Sequence, residues 1–264
     1  MLEDAIKYKT IVDEFDEAIK AGEFKMYLQP QISAKTRKLT GAEALVRRIK
    51  PDGTIVSPID FIPVYENSGL ISRLDRYIWE QASAKLGEWK KAGINMKISV
   101  NISPKDFYYI DIFNTFVGLV KKYDIEPSNL KIEITETTIM SDVPNLMGEL
   151  EELRKAGFTL EMDDFGSGYS SLNTLKDINV DVLKVDMGFI KETKNVKKSR
   201  IILAFVIKMA KELNLLIITE GVETKEQVDN LTKLGCDVFQ GYYFSKAIDV
   251  KEFEKRYLYR KIAG

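Results

Sequence analysis

The sequence predicts an α/β fold, a modified TIM-type (β/α)8 barrel whose first strand runs antiparallel. Three observations carry that expectation. Eight short β-rich runs are mostly separated by longer amphipathic stretches of helical period, the alternation that builds a parallel sheet with helices outside it. The first two runs are joined only by SAKTRK, too short for a helical crossover, so they form an antiparallel hairpin. The chain has 264 residues, 45% of them hydrophobic, which is enough for one large core.

In chain order, residues 1–20 read as a leading helix or linker, and 21–264 as one domain. The strand candidates are Lys25–Ile32, Leu39–Ile49, Met96–Ser103, Leu130–Thr135, Thr159–Asp163, Asp181–Asp186, Leu215–Glu220 and Asp237–Gly241. Helical periodicity falls on Ile71–Ala92, Ile110–Tyr123, Val143–Ala156, Val196–Asn214 and Lys225–Leu234. Three of these close on Ala92-Gly93, Ala156-Gly157 and Leu234-Gly235, and glycine accepts the left-handed turn just past a helix end. No low-complexity linker or repeat divides the domain.

Composition narrows the chemistry. There is no histidine, which removes the commonest general base and transition-metal ligand. A formal net charge of -1 gives no long-range pull on polymeric nucleic acid or anionic membrane. The single cysteine, Cys236, fits a reducing compartment, the start carries no signal peptide, and no apolar run spans a bilayer. A cytoplasmic location is expected, with residues 1–20 fitting a linker from a larger signalling protein.

Strand alternation then sorts the polar residues. Glu43, Leu45 and Arg47 share one face of GAEALVR; Ser99, Asn101 and Ser103 share one face of MKISVNIS. Lys131, Glu133 and Thr135 oppose Ile132 and Ile134, and Lys184 and Asp186 oppose Leu183 and Val185. Asp163 and Glu220 close their strands. Most of these groups sit at C-terminal strand ends, where barrel enzymes build their sites. Acids converging on one rim repel unless cations join them, and oxygen ligands without histidine specify hard divalent ions, Mg²⁺ or Mn²⁺. Two such ions sharing a carboxylate would clamp a phosphoryl group and activate water.

GAEALVR, SVNIS, IEITET, EMDDFGSGYSSL, LKVDMGFI, TEGVET and FQGYYFSKA occur in an order that resembles the EAL domain family, over about residues 23–257. The resemblance implies a cyclic di-GMP-specific phosphodiesterase yielding linear pGpG. It implies metal ligation by Glu43, Asn101, Glu133 and Asp163, with Asp164 and Glu220 serving a second ion. It gives Lys184 and Gln240 the nucleophilic water, and Gln29, Arg47, Asp60 and Phe61 the substrate. Glu136 would anchor the DDFGSG loop, with Glu223 in a similar supporting place. The family also implies a homodimer near that loop. Two residues depart from the pattern: Arg48 stands where tryptophan is usual, and Glu161 where a small or apolar residue is. Glu161 points inward and needs a cation such as Lys97, Lys131 or Lys184.

Singly, most of these residues have a plainer reading: Asn101 as a cap, Lys184 as a salt-bridged lysine, Tyr242, Tyr243 and Phe244 as packing. Their joint register with strand ends outweighs it. The alternatives are a non-cleaving cyclic di-GMP sensor and an enolase-type metal enzyme; the filled ligand positions oppose the first, and the motif order the second.

Overall fold

The computed structural model describes residues 2–166, 175–176, 178–186 and 196–259. Two helices, α1 (Leu2–Asp13) and α2 (Phe15–Lys20), precede a long hairpin of β1 (Phe24–Ser33) and β2 (Leu39–Ile49). Next come β3 (Ile55–Val56), α3 (Pro58–Ser68), α4 (Ile71–Lys91), β4 (Ile98–Ile102), α5 (Asp106–Tyr109) and α6 (Ile112–Tyr123). After them run β5 (Leu130–Thr135), α7 (Glu136–Ile139), α8 (Leu146–Lys155), β6 (Leu160–Asp163) and β7 (Val182–Asp186). The chain closes with α9 (Val196–Glu212), β8 (Leu216–Glu220), α10 (Lys225–Leu234), β9 (Val238–Phe239), β10 (Ile248–Asp249) and α11 (Val250–Phe253).

The sheet order β10-β1-β9-β8-β7-β6-β5-β4-β2-β3 closes on itself through the β1–β2 pairing, so eight strands form a barrel and β3 and β10 are appended to it. β1 is antiparallel to both barrel neighbours, β2 and β9, and the other barrel pairings are parallel. The inverted first strand is therefore present. Its cause is the short 33–38 turn, in which Arg37 takes a positive φ of 58°.

The aliphatic faces pack outward. Ile98, Val100, Ile132, Ile134, Leu160, Met162, Leu183 and Val185 are buried against α4, α6 and α8, whose Trp79, Phe116 and Leu153 are equally buried. A second cluster joins Phe15 and Ala18 of α2 to Phe24, Phe61, Tyr65, Ile71 and Leu74. Its rings meet edge-on, Phe15 to Tyr65 at 4.9 Å and Phe24 to Phe61 at 5.7 Å, so α2 is part of the packed structure. Gly93, Gly157 and Gly235 all have positive φ, as expected for residues that end helices.

Among the described residues, no helix is long and apolar enough to cross a membrane. Residues 167–174, which complete the DDFGSG loop, and 187–190 of LKVDMGFI lie outside the described residues.

Candidate active site

With the aliphatic faces turned to the helices, the polar faces fill the barrel. Strand register decides who meets whom: Gln29 lies beside Glu43, Asn101 beside Glu133, Thr135 beside Asp163, and Asp186 beside Glu220. Lys184 of β7 reaches the centre with no exposed surface. Its Nζ lies 2.7 Å from Glu133 Oε2, 2.8 Å from Glu220 Oε1, 3.1 Å from Asp163 Oδ2 and 3.4 Å from Glu43 Oε2. Burial alone would lower the lysine pKa, but Asp163, Glu133, Glu220 and Glu43 outweigh it and hold the group well above its ordinary value.

The acids respond in the other sense. Burial, then the neighbouring Glu43, pushes Glu133 well up; burial raises Glu220 to about 8 although Lys184 opposes it. Partial burial and Asp163 raise Asp164. One ammonium therefore faces more carboxylate charge than it can neutralise. Among the described residues the acids gather on Lys184, and no three of them are grouped as a ready cage for an ion. The donor set nevertheless fits hard cations: it is all oxygen, and Glu133 Oε1 is buried without a hydrogen-bond partner. Asn101 joins the cluster through Nδ2, 3.4 Å from Glu43 Oε1, while its carbonyl accepts from Trp79 Nε1 at 2.9 Å.

The loop after β6 starts with a strained residue. Asp164 has φ 57°, the left-handed region, and its N–H donates to Asp163 Oδ1 at 2.8 Å. Gly166 N–H donates to Glu136 Oε2 at 3.4 Å, and Glu136 is buried at the start of α7, where Thr135 caps the turn. On the opposite wall, Gln240 donates through Nε2 to Glu43 and, at 3.3 Å, to Gln29 Oε1. Gly241 behind it admits no side chain, since a Cβ there would lie 2.3 Å from the Val222 backbone.

Two cavities flank this centre and share Leu45. One, of about 600 Å³, is lined by Arg47, Pro58, Ile62, Trp79, Asn101 and Lys105 among others. The second, of about 420 Å³, is lined by Gln29, Glu43, Asp186, Glu220, Glu223 and Tyr242. Arg47 stands between: its guanidinium is 5.9 Å from the Tyr27 ring, and burial lowers its pKa against Tyr242, Tyr27 and Glu43.

The EAL domain model matches residues 12–247. The chain belongs to the EAL domain family. Relatives of this EAL domain include the signaling protein YkoW of Bacillus subtilis, 37% identical over 239 residues, which are 90% of this chain and 30% of YkoW. The bifunctional diguanylate cyclase/cyclic di-GMP phosphodiesterase MucR of Pseudomonas aeruginosa is 31% identical over 243 residues, covering 92% of this chain and 36% of MucR. The solved structure of the PaMucR phosphodiesterase in its c-di-GMP complex superposes with a TM-score of 0.86 at 31% identity, over 92% of this chain and 99% of that one. The EAL domain thus spans about a third of the length of these curated relatives.

Of the residues singled out from the sequence, Glu43, Glu133, Asp163, Lys184, Glu220 and Gln240 meet at the centre of this EAL domain, with Gln29 and Asn101 in contact with them. Asp164 and Glu136 lie at the loop, and Arg47 and Glu223 at the cavity walls. Two expectations need correction. Phe61 is fully buried against Phe24 and Tyr65, and Asp60 turns away to Lys7 at 2.9 Å. The cause is that 58–68 is a helix, whose period sends Pro58 and Ile62 to the cleft and Phe61 and Tyr65 to the core. Tyr242, expected to pack, is 63% exposed and lines the second cavity.

The cation for Glu161 is Lys131, at 2.5 Å and nearly buried with it. Sequence reasoning missed Gln31, which is buried between Lys131 and Gln240, and Asp75, which lines the larger cleft near Asp106. Gln31 lies two residues from Gln29 on the same strand face, so period two would have found it.

Proposed function

We propose that this EAL domain hydrolyses cyclic di-GMP to linear pGpG, using Mg²⁺ or Mn²⁺, two ions in all. The carrying observation is the place of the carboxylate-ringed lysine: it lies between two cavities that meet at Leu45, a shape suited to a ligand with two bases joined through phosphates. Glu43, Asn101, Glu133 and Asp163 would hold one ion, with Asp163, Asp164 and Glu220 serving the other. Divalent ions held there supply Lewis acidity that brings a water pKa towards neutrality and screens the phosphodiester charge.

The chain's own residues do the rest. Arg47 holds the phosphate of the scissile linkage from the cleft wall. Lys184 has the part of a fixed positive charge beside the attacking oxygen. Gln240, with its amide already turned to Glu43, offers a hydrogen bond that aligns the water. Oxygen adds in line to phosphorus, the bond to the ribose 3′ oxygen breaks, and the proton of water ends on that 3′ hydroxyl. The apolar walls of Pro58, Ile62 and Trp79 exclude competing water from one base. A cytoplasmic location and a homodimer near the loop after Asp164 belong to the same reading.

The test is product chromatography of cyclic di-GMP incubated with the domain. Mg²⁺ or Mn²⁺ should give pGpG, a chelator should abolish it, and Ca²⁺, larger and a weaker Lewis acid, should permit binding without turnover. Binding without pGpG in every metal would replace the hydrolase reading with that of a sensor. Equal hydrolysis in Ca²⁺ would sink the role given to Lewis acidity.

A further inference from the structure

Below the carboxylate ring lies a second buried layer of polar side chains, which meets the reaction only at Gln240. Lys131, Glu161, Gln31, Ser99 and Gln240 are each less than 10% exposed. Lys131 Nζ binds Glu161 Oε1 and donates to Gln31 Oε1 at 3.0 Å. Gln31 Nε2 donates to Gln240 Oε1 at 3.2 Å and lies 3.5 Å from Ser99 Oγ. Gln240 Nε2 then donates to Glu43 Oε2 and Gln29 Oε1. Gly41 leaves room for this path, since a Cβ there would lie 3.0 Å from Gln31 Oε1.

An amide side chain can present either its carbonyl or its NH₂ group, and these two glutamines stand in line between groups that cannot swap roles. The Lys131 ammonium offers only donors, and the Glu43 carboxylate offers only acceptors to the amide. With Lys131 at one end, Gln31 must turn its oxygen to the ammonium, which leaves its NH₂ for Gln240. Gln240 must then accept, and its own NH₂ faces Glu43. Turning both amides around would set an NH₂ against an ammonium and a carbonyl against a carboxylate. Both contacts are repulsive, and both are made by buried side chains.

We propose that the buried Lys131–Glu161 pair is a positioning device that fixes, through Gln31, the direction of the Gln240 amide. Glu161 is essential because without it the buried Lys131 ammonium would lack a counter-charge. Gln240 is thereby committed to donate towards Glu43 before any ligand arrives. The consequence for turnover rests on the hydrolase reading; the amide direction does not.

The test begins without metal or substrate. In protein labelled with ¹⁵N on glutamine side chains, the Gln240 NH₂ signals are assigned by their loss in Gln240→Glu. Wild type should show two distinct, slowly exchanging protons. Lys131→Met/Glu161→Met removes the pair without leaving a charge, and should speed that exchange at least tenfold. Gln31→Met, which leaves the pair intact, should do the same and serves if the double variant fails to fold. Lys131→Gln/Glu161→Gln restores a neutral donor beside Gln31 and should recover most of the protection. In turnover assays, loss of such support typically costs ten- to a hundredfold. The fall should appear in kcat with KM unchanged for the Met pair, and largely disappear for the Gln pair. Unaltered Gln240 exchange in both the Met pair and Gln31→Met overturns the proposal, as does an equal loss in the Met and Gln pairs. An inactive wild type with the expected exchange pattern would fault the hydrolase reading and leave this one standing.

Discussion

Lys184 carries four carboxylates on one ammonium, and the consequence of removing it is specific. Lys184→Ala should lower turnover by roughly a hundredfold or more, the loss typical of a positioned electrostatic donor. Arg47 lines the cleft and touches none of these acids, so Arg47→Ala should raise KM and change kcat little. Steady-state kinetics of the two variants separates the roles; an Arg47→Ala defect confined to kcat would reverse them. Glu136 is different again. Its contact is with the Gly166 N–H, so Glu136→Ala should fold normally, require more Mg²⁺ for half-maximal rate and turn over about ten- to a hundredfold slower. A Mg²⁺ titration matching wild type in both midpoint and maximum would show that the loop orders itself.

At the level of elements, strands were far more legible than the helix beside the cleft. The runs 39–49 and 130–135 match β2 and β5 residue for residue, and the other barrel strands begin and end within two residues of expectation. Period two marks them because one face is aliphatic and the other carries the polar residues near the C-terminal strand ends. β9 is shorter, only Val238–Phe239, because the chain turns after it: the Gln240 carbonyl accepts from Val222 N–H and Tyr243 N–H donates to the Val222 carbonyl. The helix α3 was read as a substrate segment, although Ser57 before Pro58 and Gly69 at its end, with φ 76°, are ordinary helix punctuation. That misreading displaced Asp60 and Phe61. The joint of α4 and α5 was not legible at all, since nothing local in the sequence brings Asp75 to Asp106. There burial, and then the facing Asp106, pushes Asp75 well up, while burial raises Asp106 to about 6. The folded state thus keeps protons that the unfolded chain releases near pH 4. Their stabilisation is complete below that pH and is lost as pH rises through about 6 for Asp106 and through the raised value of Asp75. Asp75→Asn keeps a donor and drops the charge, so its melting temperature should exceed wild type by a few degrees at pH 8 and match it at pH 4. Identical melting curves at pH 8 would mean that Asp75 is solvated instead.

The whole molecule is a barrel whose inside is largely polar above a small apolar layer of Val182, Ile218 and Val238, where such barrels are usually filled by branched aliphatics throughout. Its apolar free energy lies between sheet and helices and in the aromatic cluster that seats α2. Arg48, 4% exposed, joins Glu14 Oε2 at 2.7 Å and Glu23 Oε2 at 2.8 Å, tying the leading helices to β2. Arg48→Met would leave Glu23 without its charged partner and cost about 1–3 kcal/mol, read as a melting temperature several degrees lower. A variant as stable as wild type would show that the aromatic cluster alone seats α2. Neighbouring Arg47 lies on the other face of the same strand, in the cleft. β2 therefore carries one arginine on each face. Under the proposed function a load applied to α2 would reach the phosphate-binding end through a single strand, and by linkage a bound nucleotide would load α2 in return.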